Sequence, residues 1–212
     1  VTRWYVGLLL AGAAVIAVTL YAAGLYPTFG TSLRYALFQF VSLVSTTGFA
    51  TADTNLWPPL AVVLLIAGSI VCASAGSTSG GIKINRLVLA VKMMRARLRQ
   101  QQHPNAVLRI RLDGVVQETE FLHTVMTFIV AYFMLIAAGT VFAALCGTDL
   151  TTAFTGSVAM LGNVGPGFGQ VGSMNTYAEL PAALKLFDSF LMLFGRLEIF
   201  GLIQLFFIKW WR

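Results

Sequence analysis

A glycine-rich stretch is the part of this chain whose residue types could do chemistry: Gly162-Asn163-Val164-Gly165-Pro166-Gly167-Phe168-Gly169. Glycine permits positive φ and close approach of the backbone to a ligand, whereas Pro166 fixes φ and removes an N–H donor. An extended, carbonyl-lined turn suits these residues. Because the flanking segments are strongly apolar, and irregular backbone is tolerated at membrane depth only beside a cavity, the stretch is predicted to be a pore loop.

A second copy of this region lies earlier in the chain. Gly30 to Ala50 aligns without a gap on Gly147 to Gly167, at the constant offset of 117 residues that separates Gly48 from Gly165. Six aligned pairs are identical: Gly30/Gly147, Thr31/Thr148, Leu33/Leu150, Ala36/Ala153, Val41/Val158 and Gly48/Gly165. The alignment sets Thr46-Thr47-Gly48-Phe49-Ala50 opposite Asn163-Val164-Gly165-Pro166-Gly167, so two repeats are predicted.

The composition places these repeats in a bilayer. Of 212 residues, 58% are apolar and only 10% are charged, against about 25% charged in soluble domains. Eight of the fourteen basic residues lie between positions 83 and 111. Such a patch beside apolar spans predicts the cytoplasmic side of a multi-pass membrane protein, and a nucleic-acid partner is not expected.

The first repeat begins with a predicted transmembrane helix from Trp4 to Tyr26. Thr31 to Val44 looks helical but is too short to cross a hydrocarbon core of about 30 Å, which favours a re-entrant pore helix. The negative end of its dipole would favour a cation at Thr46 to Phe49. A short buried helix with an ordinary turn is the plainer alternative, and the duplication argues against it.

The next apolar helix, Leu60 to Ala73, is interrupted by eight small residues, Ser74 to Gly81. Glycine costs about 1 kcal/mol relative to alanine in a helix, so a break is predicted before a basic helix resumes from Ile82 to Leu98. A break at membrane depth would lie beside the conduction path, where Gly76 to Gly81 could act as a gate. A cytoplasmic loop is the alternative.

The second repeat follows a polar connection, Gln100 to Glu120, which is either a small hairpin or a plain linker. It contains an apolar span from Phe121 to Cys146, a pore-helix candidate from Asp149 to Leu161 and a last segment from Pro181 to Arg212. The predicted organisation is a pore repeat over 1–99, a cytoplasmic connection over 100–120 and a second pore repeat over 121–212.

Arg196 and Glu198 lie near the centre of the last apolar segment. A central arginine costs about 2.5 to 3.5 kcal/mol on insertion scales, so Arg196 should face a cavity or a partner. It could bond the carbonyl oxygens near Gly76 to Gly81 and position the gate. Alternatively, Arg196 and Glu198 could cross-link neighbouring helices.

Four separated motifs resemble the Trk/Ktr/HKT superfamily of potassium transporters, and among these the bacterial Trk potassium-uptake membrane subunits. They are Ser45-Thr46-Thr47-Gly48-Phe49, Ala75-Gly76-Ser77-Thr78-Ser79-Gly80-Gly81-Ile82-Lys83, Gly162-Asn163-Val164-Gly165-Pro166-Gly167 and Gly195-Arg196-Leu197-Glu198. The resemblance implies four helix/pore-loop/helix repeats of the potassium-channel type around one path. This chain resembles the third and fourth, so the others would come from an N-terminal half or from a second copy.

The resemblance also implies which residues act. Backbone carbonyls would coordinate K⁺, the transported ion, and a gate would lie below them. The filter carbonyls would be those of Thr46, Thr47, Gly48, Phe49, Asn163, Val164, Gly165 and Pro166. The gate residues would be Gly76, Ser77, Thr78, Ser79, Gly80, Gly81 and Arg196. Implied partners are membrane lipid, a second full protein in a homodimer and a cytoplasmic nucleotide-binding regulatory subunit; no organic cofactor is expected in this chain.

We therefore predict an all-α membrane protein with two tandem pore repeats that mediates potassium uptake. No paired carboxylates, nucleophile with a base, or metal cluster is recognisable in the spans, so an enzyme is not expected. One alternative is less selective permeation of sodium and potassium, since Ala50 replaces the second glycine of the channel pattern. Another is a non-conducting membrane anchor for a cytoplasmic partner, which would leave both pore loops unexplained.

Overall fold

The computed structural model describes residues 1–74, 76–102, 109–197, 199 and 201. Within them, two helices are long and apolar enough to cross a membrane: α1 (Thr2–Ala22) and α5 (Thr119–Leu145). The predicted spans were Trp4 to Tyr26 and Phe121 to Cys146. Helix α1 ends earlier than predicted because Gly24 takes a φ of 69°, and Tyr26 instead stacks on Tyr35 with ring centroids 4.7 Å apart.

Each long helix is followed by a short one that packs against it. Helix α2 (Phe29–Val44) has 16 residues and helix α6 (Leu150–Gly162) has 13. At 1.5 Å per residue both are too short for a hydrocarbon core of about 30 Å. The hydroxyl of Thr28 caps α2 by accepting from the Thr31 amide, as the Asp149 carboxylate caps α6 by accepting from the Thr152 amide. The two short helices are confirmed.

The predicted helix break is also confirmed. Helix α3 (Pro59–Val71) ends at Cys72, which has a φ of 54°, and helix α4 (Ile84–Gln102) begins after residues 72–83. The basic helix was predicted to resume at Ile82. It starts two residues later because the Ile82 and Lys83 amides bond back to α3.

The connection between the repeats contains a hairpin, the first of its two predicted alternatives. Strands β1 (Arg111–Leu112) and β2 (Val115–Val116) pair antiparallel. Asp113 and Gly114 have φ values of 47° and 88°, the left-handed pair that a two-residue hairpin turn requires. The domain boundaries at residues 99 and 120 stay a prediction.

Helix α7 (Ala182–Arg196) completes the described part of the second repeat. Glu198 and residues 202–212 lie outside the described residues. The hydrophobic core of the first repeat also includes Val164 and Phe168, and that of the second repeat includes Ile82. Each repeat therefore buries side chains from the other, which fixes the two pore loops beside each other. The all-α fold with two tandem helix/pore-loop/helix repeats is confirmed.

Candidate ion-conduction site

The two pore loops leave their helices through the same hydrogen bonds. In each loop the first amide donates to the carbonyl three residues back at 3.1 Å, and the second donates to the carbonyl five residues back at 2.9 Å. These amides belong to Thr46 and Thr47 in the first repeat and to Asn163 and Val164 in the second. The offset of 117 residues, found from sequence, therefore also relates the local structures.

Backbone conformation repeats as well. Thr46 and Asn163 have φ values of 57° and 54°, and Gly48 and Gly165 have 74° and 106°. Thr47 and Val164 lie between residues of positive φ and do not share it. Positive φ is unfavourable for threonine, so Thr46 is held there by its surroundings rather than by preference.

The loops touch each other at Gly48. A Cβ atom placed on Gly48 would overlap the carbonyl oxygen of Val164 and lie 3.1 Å from Cδ of Pro166. No side chain fits at this position. Glycine is thus required here both by its φ and by the neighbouring loop.

All eight predicted filter residues lie in these adjacent loops, but their carbonyls differ in bonding. The Phe49 oxygen accepts from the Ser42 hydroxyl at 2.7 Å, and the Gly165 oxygen accepts from the Tyr177 hydroxyl at 2.6 Å. Within the described ranges, the other six accept no hydrogen bond. They are the oxygens of Thr46, Thr47, Gly48, Asn163, Val164 and Pro166. A carbonyl oxygen has two lone pairs, so one bond leaves capacity for a cation.

Polar side chains of the short helices hold the chain after each loop. The buried Gln39 side chain accepts from the Thr51 amide at 3.3 Å and donates to the Ala52 carbonyl at 2.9 Å. In the second repeat the Thr155 hydroxyl accepts from the Phe168 amide at 2.9 Å. Thr51 and Phe168 are equivalent under the offset, although the side chains that bind them are not.

Two further side chains link the repeats. The Asn55 side chain accepts from the Gly169 amide at 2.9 Å and donates to the Gly169 carbonyl at 3.1 Å. The Ser173 hydroxyl donates to the Ala52 carbonyl at 3.0 Å and accepts from the Thr54 amide at 3.1 Å. Sequence reasoning missed Asn55, Ser173 and Tyr177, because no local pattern marks contacts between residues so far apart in the chain.

Residues 72–83 leave and rejoin the end of α3. The amides of Ile82 and Lys83 donate to the carbonyls of Ile70 and Val71 at 3.1 and 2.9 Å. These bonds satisfy two of the carbonyls that a helix end leaves without partners. Hydrogen bonds therefore hold the end of this segment against the end of α3. We call residues 72–83 the break loop.

The break loop lies against the second pore loop. A Cβ atom placed on Gly80 would overlap the carbonyl oxygen of Gly162, which is the last residue of α6. Ser79, Gly80 and Gly81 are buried, whereas Gly76 and Thr78 are exposed. The C-terminal half of the predicted gate segment is thus packed directly beside the start of the second pore loop.

Arg196 bonds this loop as predicted: its guanidinium donates to the Thr78 carbonyl. The adjacent Gly195 packs so closely that a Cβ atom would overlap the Leu161 carbonyl oxygen. The Asn163 side chain donates to the Met192 carbonyl at 3.1 Å. Helix α7 therefore contacts both the second pore loop and the break loop. Whether Glu198 cross-links helices falls outside the described residues.

Two titratable groups lie at the rim of the site. Hydrogen bonds from the Thr152 side chain and amide lower the pKa of Asp149. Burial raises the pKa of Tyr177, with a smaller contribution from the charge of Asp188. The Tyr177 hydroxyl therefore stays protonated, and can donate to Gly165, throughout the physiological pH range.

Known proteins match nearly the whole length of this chain. The TrkH family, described as a cation transport protein, matches residues 14–210. The Trk system potassium uptake protein TrkH of Salmonella typhimurium is 34% identical over 99% of this chain and 43% of its own length. The corresponding protein of Escherichia coli is 33% identical with the same coverage.

A solved structure agrees. The crystal structure of the potassium transporter TrkH from Vibrio parahaemolyticus matches with a TM-score of 0.90 and 31% identity, over 99% of this chain and 44% of that one. The chain thus spans less than half the length of the relatives that it matches. It belongs to the TrkH family of cation transport proteins, and it is a membrane protein.

Proposed function

We propose that this chain supplies two quarters of a selectivity filter through which K⁺ enters the cell. The observation that supports this most strongly is a set of six carbonyl oxygens, in two adjacent and equivalent loops, that accept no hydrogen bond from the described residues. Carbonyl oxygens replace the hydration shell of a weakly held cation, and several weak sites in a row allow both binding and release. The negative ends of the α2 and α6 dipoles point toward these loops and favour the same charge.

The other two quarters come from residues outside this chain or from a second copy. The relatives named for potassium uptake are more than twice as long as this chain, which favours the first source. A homodimer of the complete protein and a cytoplasmic nucleotide-binding regulatory subunit are proposed as further partners. The chain itself is proposed to act as a transporter and not as an enzyme.

The break loop is the proposed gate, formed by Gly76 to Gly81 with Arg196. Its contact with Gly162 supports a position just below the filter. The bond from Arg196 to Thr78 supports a role for this arginine in holding the loop in place. Removal of that bond should make displacement of the loop easier.

The basic segment 83–111 is proposed to face the cytoplasm, in a protein of the inner membrane. The eight basic residues of this segment follow the positive-inside rule. The hairpin β1–β2 begins at Arg111, the last residue of this segment, and a soluble subunit could reach it there.

Less selective permeation of Na⁺ and K⁺ is a second candidate function. The Phe49 carbonyl is already bonded to Ser42, and Ala50 replaces a glycine of the channel pattern. Both features make the first quarter of the filter unlike a symmetric potassium filter. The ratio of the two fluxes distinguishes this candidate from strict potassium uptake.

The proposal is tested by measuring rubidium uptake into proteoliposomes that contain the complete protein encoded by the gene. Gly165→Asp should abolish uptake while membrane insertion persists. Gly147→Asp is the matched control, because Gly147 also has positive φ and open space around it but lies outside the loops. Unchanged uptake with Gly165→Asp would remove the filter assignment, and equal Na⁺ and Rb⁺ fluxes would favour the second candidate.

A further inference from the structure

A groove of about 820 Å³ separates α1 from α4 and has no role in the conduction path described above. Helix α4 contributes Ile84, Leu87, Val88 and Val91, which recur at helical spacing and form one apolar stripe. Helix α1 contributes Trp4, Gly7, Leu8 and Ala11. The body of the groove is therefore apolar on both walls.

One end of the groove is cationic. Arg3 from α1 and Lys92 and Arg95 from α4 line it there. The apolar residues of α4 precede Lys92 in the chain, and Arg3 precedes the apolar residues of α1. The ion pair between the Val1 ammonium and Asp113 brings the start of α1 to the hairpin that follows α4, so all three cations lie at the same end of the groove. This end is on the proposed cytoplasmic side, with the basic segment 83–111.

A second cavity, of about 210 Å³, continues from this end. It shares Lys92 and Arg95 with the groove and adds Arg99 and Arg109. The Lys92 ammonium donates to the carbonyl of Arg111, which directly follows the lining residue Ile110, at 2.7 Å. Within the described ranges none of the five lining cations forms an ion pair with a carboxylate.

The geometry points to an anionic phospholipid as the occupant, with its phosphate among Lys92, Arg95 and Arg99 and an acyl chain along the groove. An acyl chain needs an apolar channel, and a lipid phosphate needs cations at the level of the membrane surface. The two cavities supply both in the right order. A free anion would use only the cationic end. A protein segment would have to carry acidic side chains, because the described residues that line the two cavities offer cations and no carboxylate.

Gly7 allows the groove to be blocked without disturbing the helix. Among the described residues no atom lies within 4 Å of a Cβ placed on Gly7, so a larger side chain would project into the open groove. Gly7→Leu should therefore occupy part of the groove where the acyl chain would lie, without disturbing the packing of α1. Gly30→Leu is the matched control, because Gly30 also has open space but does not line the groove.

Trp4 supplies the signal for the test. The complete protein is reconstituted in phosphatidylcholine vesicles that contain a small fraction of brominated phosphatidylglycerol or, in parallel, of brominated phosphatidylcholine. Trp4 fluorescence is obtained as the difference from Trp4→Phe. We expect quenching to give phosphatidylglycerol an apparent affinity at least about tenfold higher, since each cation near the surface adds about a fivefold preference.

The double variant Lys92→Gln/Arg95→Gln should bring this preference close to one, and Gly7→Leu should weaken quenching by both lipids. Arg97→Gln, which removes one positive charge from an α4 residue that lines neither cavity, should leave the preference unchanged. Excess inorganic phosphate should also leave it unchanged. Three results would each overturn the proposal. The two lipids could quench Trp4 equally, neither could quench it because protein covers the groove, or phosphate could displace the lipid. These outcomes do not depend on whether the protein conducts potassium.

Discussion

The guanidinium of Arg196 donates a hydrogen bond to the carbonyl oxygen of Thr78, across 118 residues of sequence. This bond joins the end of α7 to the break loop. A charged side chain is costly in an apolar helix, and Arg196 uses its charge to bind a carbonyl of the break loop that has no partner within a helix. The contact gives the proposed gate a specific restraint that can be removed.

Arg196→Ala should raise the open fraction of the protein. A hydrogen bond from a charged donor contributes about 1.5 to 3 kcal/mol, so loss of this one should shift the ratio of open to closed states by about tenfold or more. Single-channel recording or rubidium flux measures the change. Arg196→Lys should retain part of the restraint.

Lys185→Ala is the matched control for this prediction. The Lys185 ammonium also donates to a backbone carbonyl, that of Ala178, but it does so at the other end of α7. Its loss should leave opening unaltered. Equal opening of Arg196→Ala and the unmodified protein would argue that Arg196 does not restrain the loop.

Gly80→Ala should displace the break loop from the end of α6. Its new methyl group would overlap the Gly162 carbonyl oxygen, and backbone on both sides leaves little room for adjustment. Increased basal flux is expected, measured as rubidium leak. Gly76→Ala is the control in the same loop: Gly76 has a φ of 81° but nothing within 4 Å, so it tests backbone strain without the clash. Identical leak in the two variants would contradict a role for the Gly80 contact.

Tyr177→Phe should loosen the second pore loop. The ring remains, but the hydrogen bond to the Gly165 carbonyl is lost, which costs about 1 kcal/mol. The preference for K⁺ over Na⁺, measured from reversal potentials, should fall by about fivefold. Because the Tyr177 pKa is raised, the unmodified protein should show no change in selectivity from this group between neutral pH and about pH 10. An unaltered preference in the variant would mean that this bond does not shape the filter.

Asp149→Ala should destabilise the second repeat by about 1 kcal/mol, because the amide of Thr152 loses its N-cap acceptor. Asp149→Asn keeps an acceptor and should retain most of this stability at neutral pH. The folded-state pKa of Asp149 is lowered, so the contribution of its charge is present above the ordinary value of 3.8 and is lost as pH falls through the lowered value. Thermal unfolding in detergent at pH 7 and about pH 3 measures it. A difference between protein and Asn variant that grows on acidification would contradict this sign.

Much of the fold follows from local sequence. The short pore helices are predictable because their apolar runs are too brief to span a bilayer, and the break at Ser74 to Gly81 is predictable because small residues destabilise a helix. The cost of placing Arg196 in an apolar helix indicated two possible partners, the carbonyls of the break loop or a neighbouring helix, and the structure shows the first. These inferences rest on physical chemistry within one segment.

Other features were not predictable in this way. Tyr177 binds Gly165 and Asn55 binds Gly169 only because folding brings distant segments together. The Ser42 hydroxyl donates to the Phe49 carbonyl in the first pore loop, and the equivalent residue of the second repeat, Ala159, has no hydroxyl to make this bond. Sequence periodicity predicts which elements exist, whereas these bonds depend on how the elements pack.

The measurement that tests the account most directly is the K⁺ and Na⁺ permeability of the complete protein with Gly48→Ala. Gly48 has a φ of 74° and touches the Val164 carbonyl, so a methyl group should distort both loops at once. Gly24→Ala, at a φ of 69° with nothing within 4 Å, introduces similar strain away from the loops. The account predicts that Gly48→Ala reduces K⁺ flux by about tenfold or more, or loses K⁺ selectivity, while Gly24→Ala leaves both intact. Normal, selective flux through a well-inserted Gly48→Ala protein would contradict it.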